Sequence, residues 1–153
     1  MVWFDLGNRM SRAIVHVLVL MTIACCVNQQ VSAQRPKEAM MNTQHASLQD
    51  LIMVVKFKND GFLYTGAHPE IKRLYYEASV NQLIRRLMDY KPKRLTKQAV
   101  MQEFKPTLAD FDDADSEDKD AMLSYLEQIM DILSIESSDG MLNKWRYGFD
   151  PAK

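Results

Sequence analysis

The chain has 153 residues, 47% of them hydrophobic and 25% charged, with a formal net charge of −1. That is one domain's worth of ordinary globular composition. Five glycines and five prolines exclude a collagen-like or low-complexity protein, two cysteines exclude a disulfide-dense scaffold, and the near-neutral total gives no general reason to expect a nucleic-acid partner.

The first 33 residues read differently from the rest. Ala13 to Val27 (AIVHVLVLMTIACCV) is apolar apart from His16 and Thr22, and it follows Arg9 and Arg12. Polar Asn28, Gln29 and Gln30 come next, then Val31 and Ala33 at the −3 and −1 positions of a cleavage site. These are the parts of a secretory signal peptide, with cleavage expected between Ala33 and Gln34. Fifteen apolar residues rise about 22 Å, short of the roughly 30 Å hydrocarbon core, which argues against a spanning helix. Met10 offers a cleaner start than Met1, because Trp3, Phe4 and Asp5 precede the arginines. The alternative is a lipid anchor at Cys25 or Cys26; Ala24 fits such a motif, whereas Thr22 stands where it usually has Leu. The chain is therefore expected to be exported, periplasmic or secreted, touching a membrane only through the signal peptide or such an anchor.

Cleavage leaves residues 34–153, enough to bury one core. Residues 34–46 show no sustained periodicity and read as a flexible leader before a helical domain at 47–153. Ser47 begins a capping-box-like pattern before Leu48, Leu51, Ile52 and Val55, with Gly61 as a left-handed stop. The β-branched content of Ile52 to Val55 keeps a strand open there. Phe62 to His68 reads as a loop or turn. Pro69 suits the first position of a second helix, whose apolar stripe runs Ile71, Leu74, Tyr75, Ala78 and then Ile84, Leu87, Met88. Thr96 caps a third helix through Ala99, Val100 and Phe104, and Pro106 breaks or restarts it. Ser116 caps the most amphipathic helix, with Met122, Leu126, Ile129 and Leu133 on its apolar face and Asp120, Ser124, Glu127, Gln128 and Asp131 opposite. A short last helix spans Asp139 to Tyr147 and ends at Gly148. The fold class is all-α, a single bundle of four to five helices.

Charge is segregated despite the neutral sum. Lys72 to Lys105 carries nine basic residues against three acidic, and Pro106 to Lys153 twelve acidic against four basic. Mutual packing of the two halves explains this, and so does a charged face for a partner.

Catalytic and metal signatures are missing from the sequence. The acidic run Asp110 to Asp120 lacks the glycine and glutamate of a calcium loop in either register tried, and carboxylates at a helix start suit the macrodipole. Only His45 and His68 follow the signal, without cysteine, so no short zinc motif exists. No phosphate-cradling glycine loop is present. No cofactor is implied.

The segment Ile135 to Asp150 (IESSDGMLNKWRYGFD) is the least generic stretch. Ser138 or Asp139 would cap the last helix, Leu142 and Trp145 would bury its inner face, and Tyr147 and Phe149 would close over the core end. Exposed, the same Trp, Tyr and Arg146 would form a binding hot spot. Ser138, Asp139, Asn143, Trp145 and Tyr147 are thus the candidate interaction or core-closing residues.

The same segment resembles a small bacterial family, domain of unknown function 4844. The residues that carry the likeness are Met130 to Leu133, Glu136 to Gly140, Leu142-Asn143, Trp145 and Tyr147 to Phe149, preceded by Phe104 to Leu108 and Asp115 to Asp118. The likeness spans roughly Leu48 to Pro151, with the leader outside it. It implies a compact helical domain and brings no catalytic residue. Two function classes remain: a non-catalytic, inhibitor- or immunity-like protein binder of the envelope or periplasm, and a small carboxylate-dependent hydrolase of envelope polymers. The first needs only a stable scaffold with a charged or aromatic face.

Overall fold

Five helices follow one another in the computed structural model, which describes residues 39–91 and 93–149. The expected signal peptide, its Ala33–Gln34 cleavage and the Cys25 and Cys26 anchor lie outside the described residues. Helix α1 covers residues 39–53, α2 Glu70–Met88, α3 Lys97–Asp110, α4 Ser116–Ile132 and α5 Met141–Tyr147. Among the described residues there is no strand, so the fold is all-α.

The first helix corrects the sequence reading at both ends. Residues 39–46, expected as leader, are helical, and Ser47 lies inside the helix rather than at its cap. Met41, Leu48 and Leu51 are buried along one face, and the polar Gln44 and His45 between them mask that period in the sequence. The helix also stops before Val54, well short of Gly61, and no strand forms at Ile52 to Val55.

α2 and α3 are antiparallel neighbours. Arg86 on α2 meets Glu103 on α3, while Ser79, two turns earlier, bonds Asp110, two turns later. Thr96 caps α3 as expected, its hydroxyl accepting from the Ala99 amide at 3.2 Å. Pro106 does not break α3. Proline leaves the carbonyl four residues back without its amide partner, but Gln102 and Pro106 are both exposed, so water can serve it. The buried apolar residues of α2 are Tyr76, Val80, Leu83, Ile84 and Leu87, with Ser79 and Asn81 buried beside them, whereas Ile71, Leu74, Tyr75 and Ala78 face solvent. The expected stripe is therefore right in the second half of the helix and displaced in the first.

α4 buries Met122, Leu126, Ile129 and Met130, with Leu123, Tyr125, Ile132 and Leu133 packed partly against them. Asp115, not Ser116, is its N-cap residue. Phe57, Tyr76, Phe111 and Tyr125 form an aromatic cluster with centroid separations of 5.5, 5.4, 5.1 and 4.1 Å.

One side-chain clamp joins the far ends of α2 and α3. Glu103 accepts from the Tyr90 hydroxyl and from Arg86 Nε, both at 2.8 Å. These two bonds, Tyr90 first, hold the Glu103 carboxyl below its ordinary value of 4.5. A depressed carboxylate contributes stability above about pH 4.5 and loses it as the pH falls through the lowered value. Glu103→Gln is accordingly expected to shrink the acid loss of the urea midpoint; an acid limb identical to wild type would contradict the clamp.

Candidate functional site

The connection from α1 to α2 is built from both sides. Lys56 is completely buried, and its ammonium donates to the carbonyls of Leu51 and Val54, closing the end of α1. Burial pushes its pKa down, opposed by nearby Glu77 and assisted by Arg85. The Lys56 amide donates to Glu77 Oε2 at 2.7 Å, and Arg73 Nη1 donates to the Lys56 carbonyl and to the same carboxylate at 3.0 and 2.8 Å. Arg73 also holds Glu70 at 2.8 and 2.7 Å. Two turns of α2 thus grip the start of the loop.

Phe57 enters the aromatic cluster with a left-handed φ of 56°. Its carbonyl accepts from the Ala67 amide at 3.0 Å, closing the loop at its base, and the Asp60 amide donates to the Tyr64 carbonyl at 3.1 Å nearer the tip. The Asp60 carboxylate accepts from the amides of Phe62, Leu63 and Tyr64 at 2.8, 3.1 and 3.0 Å. Those bonds, Phe62 first, lower its pKa. Gly61 completes the turn with φ +78°, its amide donating to Asn59 Oδ1 at 2.6 Å. On the far side the Tyr64 hydroxyl donates to Asp118 Oδ1 at 2.6 Å, and Lys72 bridges Asp118 and Asp115 at 2.8 and 2.7 Å. Burial, then the bond to Asp118, pushes the Tyr64 phenol up.

What this frame presents is apolar. Phe62 and Leu63 at the tip are 87% and 79% exposed, and Met53, Val54 and Val55 are exposed where α1 ends. The turn thus has its amides tied down while its two large apolar side chains stand in solvent. Its amides are expected to show it: those of residues 62–64 should exchange with solvent at least about tenfold more slowly than unstructured amides. Asp60→Ala should remove that protection with little change in global stability. Free exchange in the wild type would contradict the frame.

The sequence-derived candidates lie elsewhere. Ser138 Oγ accepts from the Leu142 amide at 3.5 Å, but the N-cap residue of α5 is Gly140. Asp139 is exposed and pairs with Lys97 at 2.6 Å, and Asn143 is half-buried. Leu142 is buried and Trp145 packs partly against the core, donating from Nε1 to Asp112 at 2.8 Å with Lys119 over its ring. Tyr147 and Phe149 do not close over the core. Both are exposed, and Arg146 lies over the Tyr147 ring, 5.2 Å from its centroid, while pairing with Asp120 at 2.6 Å. The segment thus anchors the C-terminal end through Leu142 and Trp145. The acidic run likewise has a structural task that helix dipoles do not describe, since Asp118 is buried and ties the Tyr64 side of the loop to α4.

In the sequence Phe62 to His68 reads only as a loop. The signal was Asn59-Asp60-Gly61, turn-forming residues followed directly by two large apolar ones.

The family model for domain of unknown function DUF4844 matches residues 36–150. The chain belongs to this family. The match reaches back over most of the segment expected as leader, in line with the helix found at residues 39–53. A comparison with curated proteins finds no match. Among solved structures, the DUF4844 domain is similar to a DUF3571 family protein from Acinetobacter baumannii AYE. The TM-score is 0.65 at 26% identity, covering 72% of this chain and 93% of that one.

Proposed function

We propose that the domain is a non-catalytic protein-binding module of the cell envelope or periplasm, inhibitor- or immunity-like in mode, with the 57–68 loop as its contact. The observation that carries this is the pairing of a braced backbone with an exposed tip: Asp60 satisfies three consecutive amides while Phe62 and Leu63 stand in solvent. Ordering costs are met on folding, so a partner with an apolar pocket gains most of the contact energy. Export rests on the basic flank, apolar run and small residues of the first 33 positions; mass spectrometry of the native N-terminus tests it, with Gln34 as the expected first residue.

Carboxylate hydrolysis draws less support. The more buried carboxylates are committed to structural partners, Asp118 to the Tyr64 hydroxyl and Lys72, Glu77 to Arg73 and Glu103 to Arg86.

Affinity purification from the host's own envelope extract, with wild type and the Phe62→Asp, Leu63→Asp double variant as baits, tests the proposal. Two hot-spot losses of about 2 kcal/mol each weaken binding roughly 1,000-fold. A protein retained by wild type and lost by the variant is expected. Equal retention by both contradicts the site. Turnover of peptidoglycan or glycans abolished by one Asp or Glu substitution contradicts the class.

A further inference from the structure

The outward side of α2 is a second surface, which the loop does not use. Ile71, Leu74, Tyr75, Ala78, Gln82 and Arg85 recur at the spacing of one helix face, and all six are exposed, Ile71 to 72%. The helix therefore buries one apolar face and leaves another in water. Single exposed leucines need no explanation, but apolar residues at seam spacing do.

Charge selects what fits there. Near the start of α2 lie Asp110, bonded to Tyr75 and Ser79, and Asp115, paired with Lys72. With exposed Glu70, Asp112, Asp113 and Glu117 they outnumber Lys72, Arg73 and Lys119. In and just after its last turn the surface is basic: Arg85, Lys91, Lys93 and Arg94, all exposed and without an ion pair among the described residues, outnumber exposed Asp89. A second copy laid antiparallel sets each basic end against the other's acidic end, whereas a parallel pair sets like against like.

We infer that the α2 face is a self-association surface, on which two copies pair antiparallel about a two-fold axis near Ala78. Ala78 lies midway between Ile71 and Arg85, so the axis brings two small side chains together and lets the helices approach. The aliphatic stem of each Arg85 then covers the other copy's Ile71, with its guanidinium toward Glu70 and Asp115. One face of a helix about 28 Å long falls below the roughly 800 Å² per partner of a standard interface, so the pair is concentration-dependent.

Sedimentation velocity on the full chain, expressed with its own N-terminal segment, tests this over a wide concentration range. The wild type is expected to shift from monomer to dimer as concentration rises. Ala78→Arg and, independently, Leu74→Lys should stay monomeric with unchanged helical content, both positions being exposed. Arg85→Glu should weaken the dimer about tenfold at low salt and less at high salt. A wild type that stays monomeric, one that grows past the dimer, or a dimer that Ala78→Arg and Leu74→Lys leave intact would overturn the inference.

Discussion

Leu126→Ala is expected to destabilise the domain by about 2–5 kcal/mol, and Ile129→Ala by a similar amount. Both side chains have no solvent exposure and lie on the inner face of α4, against other residues of the core cluster. Truncation removes the transfer energy of three side-chain carbons and leaves a cavity that fixed neighbours fill only in part. Glu127→Ala, one residue along on the solvent side, is the internal control and should stay within about 0.5 kcal/mol. Chemical denaturation measures all three. A loss below about 0.5 kcal/mol at Leu126 would mean that α4 presents another face to the core.

Gly66→Ala is the second large effect, expected to cost about 2–4 kcal/mol from backbone strain and steric overlap together. Gly66 has φ +85°, and a Cβ there would stand 2.7 Å from the Asn59 amide nitrogen and 3.1 Å from the Lys58 carbonyl carbon. These neighbours are backbone, so no side chain can swing aside, and the two strands of the loop must separate. Gly61 separates strain from clash. Its φ is +78° but nothing lies within 4 Å of a Cβ there, so Gly61→Ala should cost only about 1 kcal/mol. Equal costs at the two positions would mean that the loop's base is not closed as described. Partner binding should fall with Gly66→Ala as well, since the tip loses its support.

How much of this was legible depends on whether local pattern or distant contact decides each feature. α4 could be read from sequence because its apolar positions share one face and its polar positions the other. Thr96 and Gly148 could be read because capping is a matter between near neighbours. The first half of α2 could not: Ile71, Leu74 and Tyr75 form as good a stripe as Tyr76, Val80 and Leu83, and only packing against α3 and α4 chooses between them. Gln44 and His45 interrupt the period of α1, and Pro106 disfavours a helix locally, a cost that α3 bears because its exposed side leaves the freed carbonyl to water and its buried residues hold the helix to the core.

The candidate site was half legible. Asn59-Asp60-Gly61 announces a turn, and Phe62 and Leu63 beside it are out of place in an ordinary one. The support is invisible in one dimension. Lys56 reaches back to Leu51 and Val54, but its amide meets Glu77, 21 residues away, and the Tyr64 hydroxyl meets Asp118, 54 residues away. In the C-terminal segment the aromatic residues divide, Trp145 serving the core while Tyr147 and Phe149 stay exposed.

Photo-crosslinking from position 62 in the native cells asks whether the loop tip meets a partner. With a photoreactive side chain replacing Phe62, one discrete adduct of higher mass is expected. The same probe at exposed Gln128, on α4, should give none, and Asp60→Ala or Gly66→Ala combined with the probe should abolish the position-62 adduct. No adduct from position 62, or the same pattern from 62 and 128, would contradict the assignment of the braced loop as the partner-binding site.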